Sequence, residues 1–215
     1  MATRASSDPC TTKAGSINRG TRCPDKAEPP CTLGHREIAS KCEAPKNIKF
    51  SELWDAYPSD HPYKDSKGQT PKGYENQCAI KVSVALAGAG VKLVNFHGAS
   101  VQINGSPVVV RAEELTAWLS KEVIPGISAP EEITGEDWEK KIKGRTGIVS
   151  FKDYWLRPGE KTPTGDHIDL WNGSRLTMSG FEGTLVTSLR YIGISSGPGF
   201  SDLRKSKKIL FWQIK

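Results

Sequence analysis

One segment of the sequence constrains the fold more than any other, because it is apolar on nearly every side of a helix. It begins at Cys78 and runs to Gly90, and only Lys81 and Ser83 interrupt the apolar residues. A helix without a polar face lies at the centre of a fold. The sequence therefore predicts a buried central helix that begins near Gln77.

Cys78 lies in the first turn of this predicted helix. Backbone N–H groups in a first turn have no intrahelical acceptor, and the helix dipole favours negative charge there. Both effects lower the pKa of a thiol and enrich the nucleophilic thiolate. Free cysteine is also among the most buried residue types. Position alone therefore leaves two interpretations open, a nucleophile and a small buried hydrophobic residue.

The remaining elements indicate an α+β fold. Helical spacing, strand-like runs and Asn-Gly turns follow one another along the chain. The predicted elements are a helix over 50–57, the central helix, a hairpin turning at Asn104-Gly105, a helix over 111–123, a helix opened by a capping box from Thr134 to Asp137, strands over 145–151 and 166–171, a turn at Asn172-Gly173 with a partner strand over 175–178, and a last strand over 209–215. Helices precede the clustered strands, which predicts an antiparallel sheet. The lysine-rich residues 204–208 favour an edge position for the last strand.

Residues 1–46 differ from the rest of the chain, and we predict a core-poor extension followed by a folded domain over 47–215. Prolines interrupt the extension and large apolar residues are nearly absent from it. Such a segment cannot bury enough surface to offset its ordering entropy. Its four cysteines are Cys10, Cys23, Cys31 and Cys42. Two disulfides, free thiols and a metal site all remain open for them, although no C-x-x-C pair supports zinc.

Charge and hydropathy narrow the class of partner. Thirty basic and twenty-four acidic residues give a net charge of +6, which favours an anionic partner such as nucleic acid, phospholipid or an acidic wall polymer. No basic run is interleaved with aromatic residues, so nucleic-acid binding is not expected. The first residues lack the apolar core of a secretory signal, and no stretch approaches the roughly 20 apolar residues of a membrane span. We expect no membrane contact, and export by a dedicated machine or carrier.

A nucleophilic cysteine needs a base, and His167 is the histidine that the pattern favours. It lies in a predicted strand where alternation places His167, Asp169 and Trp171 on one face. A carboxylate beside an imidazole can fix its tautomer and orientation. The alternative is a half-buried strand whose solvent face happens to carry polar groups.

Three strings give the site a family resemblance. In order and spacing, "FSELWDAYP", "GYENQCAIKVSVALAGAGV" and "GDHIDLWNG" resemble the amidase effectors of bacterial type VI secretion, the fourth such family most closely. The resemblance covers roughly residues 47–215. It implies a papain-like, NlpC-like cysteine peptidase fold, in which a cysteine opens a central helix that packs on an antiparallel sheet carrying the histidine.

The resemblance also implies roles for individual residues. Cys78 is then the nucleophile and His167 the general acid and base. The third residue is Asp169, with Asn172 as the alternative, because the chain has no cysteine after Cys78 and lacks the disulfide-bonded loop that carries an aspartate in some relatives. The residues expected beside the substrate or the oxyanion are Gln77, Asn76 and Trp171.

The implied activity is hydrolysis of an amide in the peptide stem of peptidoglycan, at the bond between D-glutamate and meso-diaminopimelate. The implied partners are the peptidoglycan of target bacteria, a cognate immunity protein and a carrier of the secretion machine, and the implied place of action is the periplasm of the target cell. No metal or cofactor is expected. The competing hypothesis is a non-catalytic wall-binding or adaptor module in which Cys78 is merely buried.

Overall fold

The computed structural model describes residues 46–157, 159–177 and 203–215. Nearly all of the predicted extension lies outside these residues, and so do Cys10, Cys23, Cys31 and Cys42. The Gly- and Ser-rich stretch that follows the Asn172-Gly173 turn lies largely outside them as well. The division of the chain near residue 46 therefore stays a prediction.

The described residues form four helices, six strands and one short 3-10 turn. The helices are α1 Phe50–Ala56, α2 Cys78–Gly88, α3 Ala112–Leu119 and α4 Trp138–Lys141, and the 3-10 turn is Leu203–Lys205. The strands are β1 Ser100–Ile103, β2 Ser106–Val109, β3 Glu131–Glu132, β4 Gly147–Trp155, β5 Gly165–Trp171 and β6 Lys208–Gln213. β1 and β2 form a hairpin, and the other strands form an antiparallel sheet in the order β3-β6-β4-β5. The predicted α+β class with an antiparallel sheet is confirmed.

The last strand occupies the inside of the sheet, so the predicted edge position for it is wrong. β6 pairs with β4 on one side and with the two-residue β3 on the other. Ile209, Phe211 and Trp212 are fully buried. The open edge described on the other side of the sheet belongs to β5, which follows β4 in the strand order.

The predicted capping box at Thr134 is also wrong. Helix α4 begins four residues later, with Asp137 as its N-cap. The Thr134 hydroxyl is used elsewhere, because it donates to a Glu132 carboxylate oxygen and accepts the Ile209 N–H at 3.0 Å. Thr134 thus ties the segment before α4 to the sheet.

The Asn172-Gly173 turn is confirmed, but its partner strand is shorter than predicted. Gly173 has a φ of +93°, a conformation that favours glycine. Asn172 Oδ1 closes the turn by accepting the N–H groups of Ser174 and Arg175. Of the residues predicted to pair with β5, Leu176 forms an isolated bridge, and the Thr177 N–H donates to the Leu170 carbonyl at 3.1 Å.

Two apolar clusters cover the two faces of the four-stranded sheet. The first joins α1, α2 and α3 to Ile148, Ile168, Leu170 and Trp212 of the sheet. The second joins Trp138 and Ile142 to Val149, Phe151, Trp171 and Phe211. Seven of the eleven residues of α2 are buried, which confirms the predicted central helix. None of the described helices is both long and apolar enough to span a bilayer.

Candidate active site

Cys78 is the first residue of α2 and lies beside the edge strand β5. The backbone N–H groups of Ala79, in its own helix, and of Ile168, in β5, lie close enough to its sulfur to lower its pKa. Cys78 carries a free thiol and is partly exposed. The start of the helix and the edge of the sheet thus hold the sulfur together, within reach of solvent.

His167 approaches the same sulfur from β5. Its ring stacks on Phe151 with 6.1 Å between centroids, and the edge of Tyr154 lies 6.4 Å away. These rings belong to β4, so β4 fixes the plane of the imidazole. The His167 side chain lies close enough to the Cys78 thiol for each group to shift the pKa of the other. The two residues meet because β5 is at the edge, where a side chain of one face can reach the helix that covers the other.

The pKa values of the two groups move in the directions that favour an ion pair. Burial would raise the pKa of Cys78, but the hydrogen bond and charge of His167 and the two backbone N–H groups outweigh burial and lower it. Burial would lower the pKa of His167, but Asp169 and Cys78 outweigh burial and raise it well above its ordinary value. The arrangement favours a thiolate beside an imidazolium, the form of a Cys-His pair that attacks carbonyl groups.

Asp169 lies next to His167 on the far side from the sulfur. Its Oδ2 is 3.6 Å from His167 Nε2, and its side chain is only 1% exposed. A separation slightly longer than a hydrogen bond is common in sites without substrate. Since Nε2 faces Asp169, Nδ1 is the ring nitrogen left to face Cys78. Asn172, the alternative third residue, instead uses its side chain in the turn after β5.

Sequence reasoning missed two residues near Asp169, of which Tyr57 is partly buried and Lys81 is buried. Tyr57 follows α1, and its hydroxyl lies beside Thr177 and Asp169; burial and the Asp169 charge raise its pKa. Lys81 lies in α2 one turn after Cys78 and is 8% exposed. Its Nζ is 6.0 Å from the centre of the Tyr57 ring. Burial lowers the pKa of Lys81 and the charges of Asp169, Asp60 and Cys78 oppose that change. The sequence did contain a signal for Lys81, because it is the single charged residue of an otherwise largely apolar helix.

We expected the Gln77 side chain beside the substrate or the oxyanion, but its amide group is bonded to Tyr63 instead. Its Oε1 accepts the Tyr63 N–H at 2.9 Å and its Nε2 donates to the Tyr63 carbonyl at 2.8 Å. This two-bond clasp holds the loop between α1 and α2 against the start of α2. The Tyr63 ring in turn packs on Tyr74, with 4.8 Å between centroids. Asn76, the other residue expected near the oxyanion, is exposed.

Trp171, which we expected to border the substrate, lies in the core instead. It is 4% exposed, its indole N–H donates to the Ile142 carbonyl at 3.0 Å, and its ring packs edge-on against Trp138. Alternation did place it on the His167 face, but beyond Asp169 that face is covered by the second apolar cluster. Among the residues that the structure describes, this face is therefore left open at its His167 end.

No cluster of three or more His, Cys, Asp or Glu side chains suited to a metal ion occurs within residues 46–157, 159–177 and 203–215.

Comparison with solved structures shows the fold. The effector Tae4 of Salmonella typhimurium, in complex with the immunity protein Tai4 of Enterobacter cloacae, superposes with a TM-score of 0.51 at 16% identity, covering 78% of this chain and 99% of that one. The effector Tae4 of Enterobacter cloacae superposes with a TM-score of 0.51 at 17% identity, covering 80% of this chain and 100% of that one. At these identities the likeness concerns the fold alone.

Comparison with sequences identifies the family. No curated protein sequence matches the chain. Residues 74–212 match the profile of the family described as type VI secretion system amidase effector protein 4, Tae4. The matched residues run from before Cys78 to the end of β6 and make up more than half of the chain. The chain therefore belongs to the Tae4 family of type VI secretion system amidase effectors.

Proposed function

We propose that this effector is a papain-like cysteine amidase that hydrolyses the peptide stem of peptidoglycan, at the amide between D-glutamate and meso-diaminopimelate. The observation that carries the proposal is the pairing of Cys78, at the start of a buried helix, with His167. The lowered pKa of Cys78 and the raised pKa of His167 support a thiolate nucleophile. The amidase family of the chain supplies the reaction class.

In the first half of the reaction, the Cys78 thiolate attacks the amide carbonyl and a tetrahedral oxyanion forms. The backbone N–H of Cys78, at the start of α2, is the donor best placed to stabilise that oxyanion. The His167 imidazolium then gives its proton to the leaving amine, the C–N bond breaks, and the acyl group stays on the sulfur. Asp169 keeps the imidazole oriented throughout.

In the second half, water hydrolyses the thioester. His167, now neutral, takes a proton from the water as it attacks the acyl carbon. Collapse of the second tetrahedral intermediate expels the Cys78 thiolate and releases a carboxylic acid. The imidazolium is restored, so that the pair returns to its starting charge.

The proposed partners follow from the family and its neighbours. Some of the similar solved structures are complexes of Tae4 with the immunity protein Tai4. We infer a cognate immunity protein for this chain that covers the Cys78 opening, and a carrier of the secretion machine that delivers the chain to the periplasm of target cells. The net charge of +6 suits an anionic wall. The four cysteines of the extension could pair there, leaving Cys78 as the unpaired thiol.

The test is the digestion of purified sacculi. The protein should release muropeptides whose masses, measured by mass spectrometry, correspond to a cut between D-glutamate and meso-diaminopimelate. Cys78→Ala should release none. Full activity in Cys78→Ala, or intact stems after incubation with the wild-type protein, would refute the proposal.

Thiol labelling separates this proposal from the non-catalytic module. A nucleophilic Cys78 should react with iodoacetamide well below pH 8 and should lose this reactivity on heat denaturation. An inert buried cysteine should react only after unfolding. The partial exposure of Cys78 and its closeness to His167 support the first outcome.

A further inference from the structure

The two carboxylate oxygens of Asp169 have different surroundings. Oδ1 accepts the Leu170 N–H at 2.8 Å and also the hydroxyl of Thr177, which lies beyond the Asn172-Gly173 turn. Oδ2 is the oxygen that faces His167 Nε2. With Oδ1 bonded from two directions, the carboxylate plane is set and Oδ2 points at the imidazole.

A second hydroxyl joins this arrangement from another part of the chain. The Tyr57 hydroxyl, just after α1, lies beside both the Thr177 hydroxyl and the Asp169 carboxylate, and its single proton is available to one of them. Thr177 is 9% exposed and Asp169 1%, so these two side chains are shielded from water. Helix α1, the turn after β5 and β5 itself thus meet at one carboxylate.

We propose that Tyr57 and Thr177 are positioning residues of the active site, which act through Asp169 by holding its Oδ2 toward His167. The inference deepens the proposed function and rests on it. It also gives the "FSELWDAY" helix a role beyond the core packing that its spacing indicates.

The physical reason is the weak intrinsic preference of an aspartate side chain. Rotation about the bond to an aspartate carboxyl group is broad and roughly two-fold, so the side chain does not fix its own plane. Without the hydroxyl partners the Asp169 carboxylate can turn away from His167 and weaken its hold on the imidazolium. A buried carboxylate oxygen that loses a partner also bears the cost of an unmade hydrogen bond.

Several other groups face this network and are kept unchanged in the test. Besides Tyr57 itself, the titratable groups that interact with His167 or Asp169 among the described residues are Cys78 and Lys81 of α2 and Tyr154 of β4. Lys81 balances the charge of Asp169 from above the Tyr57 ring. Tyr57→Phe keeps that ring and removes only the hydroxyl.

The experiment compares Thr177→Val, Thr177→Ser and Tyr57→Phe with the wild-type full chain. Thr146→Val is the matched control, because the Thr146 hydroxyl also donates a hydrogen bond, to the Ile214 carbonyl, on the β6 side of β4 and not on the β5 side that carries the site. Each protein is alkylated with iodoacetamide across a range of pH and digested with trypsin. Cleavage after Lys72 and Lys81 yields the peptide 73–81, in which Cys78 is the sole cysteine.

Thr177→Val and Tyr57→Phe should move the midpoint of Cys78 alkylation upward by roughly 0.5–1 pH unit, since a hydrogen bond contributes about that much to an ionisation. On soluble muropeptides their kcat should fall about tenfold with KM within about twofold. Thr177→Ser should behave as wild type, and Thr146→Val should lower Tm without moving the alkylation midpoint.

Unchanged alkylation midpoints and kcat in folded Thr177→Val and Tyr57→Phe would overturn the inference. Should Thr177→Val fail to fold, Tyr57→Phe decides alone. Should the midpoints move while the wild-type chain cuts no muropeptide, the positioning role stands and the proposed function fails, because alkylation requires no substrate.

Discussion

Asp169 Oδ2 lies 3.6 Å from His167 Nε2, and the Asp169 side chain is buried whereas that of His167 is partly exposed. The imidazole is therefore held between a carboxylate on one side and the Cys78 thiol on the other. This order of groups lets the histidine carry a proton at neutral pH while the sulfur gives one up. It also separates the two candidates for the third residue, because Asn172 is engaged in a turn.

Replacing Asp169 by asparagine tests whether Asp169, and not Asn172, is the third catalytic residue. Asp169→Asn keeps the shape of the side chain and removes its charge, so the imidazolium loses its counter-charge and kcat should fall by about 10² or more. Asn172→Ala is the control, and it should lower stability through the turn while kcat stays near wild type. Steady-state kinetics on soluble muropeptides, with urea unfolding beside them, give both numbers. A loss in Asn172→Ala as large as in Asp169→Asn would mean that Asn172 is the third residue.

The pH dependence of the reaction follows from the directions of the two pKa shifts. The active ion pair exists above the pKa of Cys78, which is lowered, and below the pKa of His167, which is raised. The rate should therefore rise from the acid side at a pH below that of an ordinary thiol and fall on the alkaline side at a pH above that of an ordinary imidazole.

The pH dependence of Cys78 alkylation in His167→Ala, compared with the wild type, tests whether His167 lowers the pKa of the thiol. His167 is the group that lowers the pKa of Cys78 against burial, so its removal should move Cys78 alkylation to higher pH. The peptide 73–81 reports the modified thiol in both proteins. Identical alkylation profiles would show that His167 does not act on the sulfur.

The clasp between Gln77 and Tyr63 predicts a stability effect rather than an oxyanion effect. Gln77→Ala leaves the Tyr63 N–H and carbonyl without these partners, and the free energy of unfolding should fall by about 1–3 kcal/mol. Gln77→Glu, of equal size, keeps the acceptor for the N–H but sets a buried carboxylate oxygen against the Tyr63 carbonyl oxygen, so it should cost at least as much as Gln77→Ala. Urea unfolding measures both. Wild-type stability together with a kcat lower by about 10²–10³ would instead assign the side chain to the oxyanion.

Two glycines with nearly equal dihedral angles allow a steric prediction. Gly126 (φ +91°) and Gly90 (φ +93°) both adopt a conformation that is costly for other residues. A Cβ at Gly126 would lie 2.2 Å from the Ile48 carbonyl oxygen, whereas nothing lies within 4 Å of one at Gly90. Gly90→Ala should cost about 1 kcal/mol of unfolding free energy, and Gly126→Ala should cost about 1–3 kcal/mol more. Equal losses in urea unfolding would contradict the close approach of the two backbone segments.

Much of the local structure could be predicted, because helices and turns depend on residues that are neighbours in the sequence. The apolar run after Cys78, interrupted only by Lys81 and Ser83, predicted α2, and Asn104-Gly105 and Asn172-Gly173 predicted turns that the structure has. The order of strands could not be predicted in the same way. Strand β3 is two glutamates with no strand signal, yet it covers one side of β6 and moves that strand to the inside of the sheet.

The sequence was sufficient to propose Cys78 and His167 as the reacting pair, but it did not indicate that Tyr57 and Thr177 lie beside Asp169. His167 and Asp169 share a strand, so alternation alone places them on one face. That His167 reaches Cys78 around the edge of β5 depends on the strand order. Tyr57 and Thr177 approach Asp169 from distant parts of the chain. In the sequence, Tyr57 looks like an ordinary core residue after a helix, and Thr177 like an ordinary residue after a turn. Their hydroxyl bonds are visible only in three dimensions.

The most direct test of Cys78 as the attacking group is to trap the acyl intermediate. The protein is incubated with soluble muropeptides and quenched in acid, and the tryptic peptide 73–81 is analysed by mass spectrometry. The account predicts a mass increase on Cys78 equal to the acyl portion of the cut stem, absent in Cys78→Ser. Turnover of muropeptides by Cys78→Ala, or turnover by the wild type with no adduct on this peptide at any quench time, would contradict it.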